Sequence, residues 1–312
     1  MITYSASLTS GYEYRFNNTH RKRAMFLIFA ALAFTGIAAC EDWTHLHVKF
    51  ALWNGFYDMP LTVEEINQDD PPKFVKMDRD DDLNVDLYSY PNDPRVSILF
   101  DSYGNIGGLR TAYIKADVAK RAELNNMKFN YSYDDKPMFT SGNYWGVDLW
   151  YTSVLFVSPE KLKAGGRQNT DGVVAEDVYV KLNGNWTLIS RDECQVETQG
   201  FTKQACFLGM GMHYFYEMTP DIPCGDLQGV FLLYEYKQLI GLGIIPFGSF
   251  TSKDRTWFED PSANVVKDIV PSRPDCLTDW VTDYGTTSLH IFFKKHPRFT
   301  FCTWPWQQSC DD

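Results

Sequence analysis

The chain has 312 residues, of which 44% are apolar and 22% charged, and its formal net charge is -11. That length and mixture suffice for one large domain or two smaller ones and exclude wholesale disorder. The acidic balance repels phosphate backbones and argues against nucleic acid as a partner.

Near the start, Arg21, Lys22 and Arg23 precede an apolar run from Met25 to Ala39. A basic start, an apolar middle and a small-residue end are the parts of a secretory signal peptide in their proper order. The run is about 15 residues, shorter than the roughly 20 a spanning helix needs, so a membrane anchor is the second reading. Residues 1–24 read as an N-terminal extension, with Met25 a candidate start. Cleavage after Ala39 would place Cys40 first in the mature chain. Ile37–Cys40 also resembles the lipid-attachment site of bacterial lipoproteins, but the cysteines and sequons further on favour eukaryotic-type secretion.

Beyond the signal, strand patterns dominate. Trp43–Phe50 alternates, with His45 and His47 on one face. Thr62–Gln68 has a helix-capping pattern, Thr62 followed three residues later by Glu65. Asp69–Asp86, acidic and carrying Pro71-Pro72, reads as a long loop. Val96–Phe100, Ile106–Ile114 and Val147–Val157 read as strands. Between them, Ala116–Asn125 has helical composition, and Pro159–Ala164 suits a short helical turn. Asp177–Leu182 and Trp186–Ser190 flank Asn183-Gly184, a hairpin-turn dipeptide. Met210–Met218, Val230–Tyr234, Leu239–Phe247 and Ser288–Lys294 complete the strands. Glu235, Lys237 and Pro246 interrupt the most apolar later stretch, Val230–Phe250, so no membrane span is expected in the mature chain.

A weak internal repeat accompanies these strands. Ile98–Gly107 resembles Leu232–Gly241 at an offset of 134, and Thr152–Phe156 resembles Thr287–Ile291 at an offset of 135. The expected fold is therefore all-β and mainly antiparallel, with few short helices. Two related units of about 130 residues would form a tandem or pseudo-symmetric sandwich or barrel. Residues 40–182 form the first unit and 183–312 the second.

Cys194, Cys206, Cys224, Cys276, Cys302 and Cys310 all fall in the second unit and should form three bridges, leaving Cys40 odd. Their wide spacing, with no CxxC pair, argues against a zinc cage or a redox dithiol. Asn130-Tyr-Ser and Asn185-Trp-Thr are N-glycosylation acceptors that suit the same compartment.

Four histidines on strands, His45, His47, His213 and His290, are the candidate ligands for a divalent metal such as zinc or copper. The alternative is that each is an ordinary hydrogen-bonded strand residue. The carboxylates of Asp78–Asp86 lack the mid-loop Gly and terminal Glu of a helix-loop-helix calcium site, so a solvated acidic loop is the simpler reading. Trp304 and Trp306, at alternate positions between Cys302 and Cys310, suit either stacking on a ligand or plugging a β core. No nucleophile elbow, phosphate loop, HExxH or dinucleotide fingerprint occurs. The expected function is a secreted, non-enzymatic binding protein for a glycan, a small apolar ligand or an extracellular protein. The alternatives are a metal-dependent extracellular enzyme using the histidines, or a matrix or coat component.

Overall fold

The structure, a computed structural model, describes residues 43–50, 55–251, 255–302 and 310. The signal Met25–Ala39, Cys40, Trp304 and Trp306 lie outside the described residues. Two short strands come first, β1 (His47–Val48) and β2 (Tyr57–Asp58). Helix α1 (Val63–Asn67) follows, and Thr62 Oγ1 caps it by accepting the Glu65 amide at 3.1 Å. A meander then runs through β3 (Val75–Asp80), β4 (Val85–Tyr90), β5 (Asp93–Phe100) and β6 (Ile106–Ile114). Short helices α2 (Lys115–Val118) and α3 (Lys120–Leu124) lead to the hairpin of β7 (Thr140–Tyr144) and β8 (Val147–Leu155). Helix α4 (Pro159–Lys163) precedes a second hairpin, β9 (Val178–Leu182) and β10 (Asn185–Ile189). At its turn Asn183 and Gly184 both take positive φ, 49° and 83°, as a two-residue turn matched to strand twist requires.

Helix α5 (Glu193–Val196) opens the C-terminal meander of β11 (Phe201–Phe207), β12 (Gly211–Tyr216), β13 (Val230–Glu235) and β14 (Gln238–Ile244). Helices α6 (Ala263–Ile269) and α7 (Cys276–Tyr284) then cross to β15 (Leu289–Phe292). All strand pairs are antiparallel. One sheet has seven strands in the order β11-β12-β13-β14-β15-β1-β2. The other has eight, in the order β10-β9-β8-β6-β5-β4-β3, with β7 also on β8.

The sheets face each other as a sandwich. Phe293, just after β15, stacks on Trp43 at 4.7 Å and meets Phe156, just after β8, edge-on at 5.4 Å. Alternation explains the layering. On β5, Ile98 and Phe100 enter the core between the sheets, while Leu99 joins a second apolar cluster with Leu87, Ala112 and Leu155 on the other face. The seven-stranded sheet is buried on both faces at β12, β13 and β14, which is why those segments read as continuous apolar runs. Its second face is covered by α6 and α7. Leu277, Val281 and Tyr284 of α7 are buried one helical turn apart, and Val266 and Ile269 of α6 join the same core.

The six C-terminal cysteines form three disulfides, Cys194–Cys310, Cys206–Cys302 and Cys224–Cys276. The last ties the segment after β12 to the first residue of α7. The interval 69–86 departs from the expected loop, because it contains β3 and the start of β4. Arg79 and Lys76 on β3 pair with Asp86 on β4 at 2.7 and 2.8 Å, and such charges suit a sheet edge.

Both halves of the sequence repeat fall on a hairpin and the strand beside it. Each sheet holds a four-stranded meander, a helical crossover and a returning strand. The registers differ by one residue: Leu109 faces Val154, but Gly243 faces His290 rather than the Leu289 that the sequence offsets require. The 182/183 boundary lies inside the β9–β10 hairpin, and β1 and β2 belong to the sheet built by the C-terminal strands. Among the described residues no helix is long and apolar enough to cross a membrane.

Candidate functional site: a helix-covered cavity

Between α6, α7 and the seven-stranded sheet lies a cavity of about 300 Å³. The sheet side is laid down strand by strand. β12 contributes His213 and Phe215, β13 contributes Phe231, and β15 contributes His290. Thr286, Ser288 and His290 are alternate residues, so all three reach the cavity from one face of the chain. The helix side is apolar, with Val265, Val266 and Ile269 from α6 and Leu277 and Val281 from α7. Phe50, Phe207 and Pro261 are half-buried and Asp260 is exposed, so the cavity meets solvent on their side.

Gly243 on β14 makes room for this floor. A Cβ there would come within 2.1 Å of Phe231 Cζ and 2.7 Å of the Leu289 carbonyl oxygen. The Phe231 ring lies over that gap and touches both histidines, with centroids 4.9 Å from His290 and 5.8 Å from His213.

The polar groups of the lining are few and held in place. Glu259 Oε2 is 3.1 Å from His290 Nδ1, and Oε1 accepts the Phe50 amide. Backbone bonds from Glu259 N to Ser288 O and from Ser288 N to Glu259 O, at 2.8 and 3.0 Å, fix the carboxylate against β15. His213 Nδ1 lies 3.2 Å from the Ala205 carbonyl and 3.1 Å from that of Gly211. Carbonyls only accept, so Nδ1 carries the proton. Burial, helped by the nearby His290, lowers the His213 pKa to about 3, which leaves the ring neutral at physiological pH. Among the described residues, His213 Nε2 and Thr286 Oγ1 are buried without a hydrogen-bond partner.

Ser288, His290 and Glu259 have the residue types of a hydrolytic triad but not its geometry. Ser288 Oγ is 3.5 Å from Nδ1, the same nitrogen that Glu259 occupies. A relay needs the nucleophile and the acid on opposite ring nitrogens. The arrangement orients an imidazole and does not activate a serine.

The four histidines expected as metal ligands fall into two pairs. His45 and His47 lie in parallel, 6.2 Å between centroids, in a separate depression with Asp58 and His296. His47 Nδ1 is 2.5 Å from Asp58 Oδ1. Burial lowers its pKa and Asp58 opposes the shift. His213 and His290 belong to the cavity. Phe56 and Phe292 stand between the pairs, with Phe56 edge-on to both His47 and Phe292. Among the described residues no three His, Cys, Asp or Glu side chains are placed to hold a metal ion.

No protein family, curated protein or solved structure matches this chain.

Other buried charges are consumed by the fold. Arg95 bridges Asp93 and Asp117 at 2.7 and 3.4 Å, and Asp93 also accepts the Trp257 indole N–H. Arg110 binds Asp80, Tyr144 and Ser153, and Lys294 binds Glu235. Arg167 donates to the carbonyls of Ile106, Val173 and Val174. Glu259 carries no sequence signal of its role, because the acid pair in Phe258-Glu-Asp-Pro261 matches no motif. The cavity carries no local signal either, because its wall is built from helices α6 and α7 packed over distant strands.

Proposed function

We propose that this protein is a secreted, non-enzymatic carrier that holds a small apolar ligand in the cavity between α6, α7 and the seven-stranded sheet. The observation that carries this reading is the cavity of about 300 Å³, lined by aromatic and aliphatic side chains with a few convergent polar groups. Such a lining is the usual composition of a small-molecule site. The space corresponds to roughly ten water-sized groups, at about 30 Å³ each. Three disulfides support an oxidising compartment. Asn130 and Asn185 are exposed, which glycosylation during secretion requires. The signal-like Met25–Ala39 segment supplies the route.

The reading is tested with a fluorescent naphthylamine probe titrated into the oxidised protein. Saturable one-to-one binding is expected. Val281→Phe, which fills the cavity from α7, should abolish it while the melting transition stays cooperative. Probe binding that is absent, or equal in the wild type and the filled variant, would overturn the proposal.

A further inference from the structure

The chemistry of the lining narrows the ligand, given the reading of the cavity as a ligand site. We infer that the cavity selects a neutral, hydroxyl-bearing apolar molecule of about ten heavy atoms, a medium-chain alcohol or a phenol, over a carboxylate of the same size. His213, whose Nε2 is buried with no partner among the described residues, and His290 read its hydroxyl.

Three observations converge. First, Glu259 holds His290 through Nδ1 at 3.1 Å. A carboxylate in that position accepts a hydrogen bond from Nδ1–H, so on the neutral ring Nε2 is the lone-pair acceptor. The complementary ligand group is a hydrogen-bond donor. Second, the described residues that line the cavity include Glu259 and Asp260 but no Lys or Arg. A carboxylate ligand would enter a low-dielectric space beside Glu259, with no cation among the described lining residues to pair with. Asp260 is already matched by Arg121, and Glu259 by His290 and the Phe50 amide. Neither carboxylate is left free to bind a cationic amine. Third, Thr286 Oγ1 is buried without a partner among the described residues, two residues from Ser288 and four from His290 on the same face of the chain. Buried hydroxyls normally find a partner, and a ligand hydroxyl or its bound water supplies one here.

The experiment displaces the naphthylamine probe from the disulfide-bonded protein at pH 7.4 with octan-1-ol, octanoate and octane. Octanol is expected to displace at concentrations about two- to tenfold lower than either competitor, the net worth of one hydrogen bond. His290→Phe and, separately, the isosteric Thr286→Val should retain the probe and shrink the gap between octanol and octane. Octanoate matching octanol, or a gap unchanged in both variants, would overturn the inference while leaving carriage of an apolar ligand intact. If the probe itself does not bind, both proposals fall and the cavity holds water alone.

Discussion

Glu259 and His290 meet at 3.1 Å through Nδ1 while the other Glu259 oxygen accepts the Phe50 amide, so one carboxylate joins three chain segments at the cavity edge. Removing it orphans two groups at once. Glu259→Ala is expected to lower unfolding stability by about 1–3 kcal/mol. Glu259→Gln keeps an acceptor oxygen and should lose less. Urea denaturation at pH 7.4 measures both, and a larger loss in the Gln variant would contradict this account.

His213 should make the protein acid-sensitive. Its folded pKa, about 3, lies below the ordinary histidine value near 6.5. The unfolded chain therefore takes up the proton first as pH falls. Stability from this group is undiminished above about pH 6.5 and declines from there towards pH 3, by at most about 1.4 kcal/mol per pH unit. His213→Gln retains a donor for the Ala205 and Gly211 carbonyls and removes the titration. Urea midpoints from pH 7 to 4 should fall less steeply in the variant, and parallel slopes would exclude His213 as the cause.

The Cys224–Cys276 bridge closes a separation of 52 residues and anchors the first turn of α7. On the chain-entropy account its loss costs about 4 kcal/mol. The double variant Cys224→Ser/Cys276→Ser should melt at lower temperature and, below the melt, show faster amide exchange concentrated in α7. Exchange that accelerates evenly across both sheets would show that the bridge does not act on the helix wall.

Gly243 is required by close approach. Gly243→Ala places a methyl where Phe231 Cζ and the Leu289 carbonyl already lie, at 2.1 and 2.7 Å. The ring is expected to move into the cavity, at a cost of about 1–3 kcal/mol. Probe affinity should fall together with stability in calorimetric titration and thermal melts. Wild-type affinity and stability in this variant would refute the placement of the ring.

Much of the strand content was legible because alternation is a local property. Ile106–Ile114 reads as β6 with its bounds unchanged, and Asn183-Gly184 marks the β9–β10 hairpin through the positive φ of both residues. Val75–Asp80 reads as loop because Lys, Asp and Arg fill it, yet cross-strand pairs with Asp86 make it an edge strand. Ala116–Asn125 is helical but broken at Ala119, between α2 and α3. The helix wall of the cavity was not legible. Ala263–Ile269 and Cys276–Tyr284 are rich in Val, Thr, Asp and Asn, which have modest helix propensity, and packing on the sheet decides their conformation.

The sequence by itself determined an acidic, β-rich chain whose six C-terminal cysteines pair among themselves, because alternation, turn residues and cysteine number are written locally. Only the tertiary structure decided which cysteines join, that α6 and α7 cover the second face of the seven-stranded sheet, and that a cavity lies between them. It also separated the four strand histidines into two pairs with Phe56 and Phe292 between them. A period of two assigns a side chain to a face. Where along that face it sits depends on the pairing of distant strands, and no local pattern encodes that.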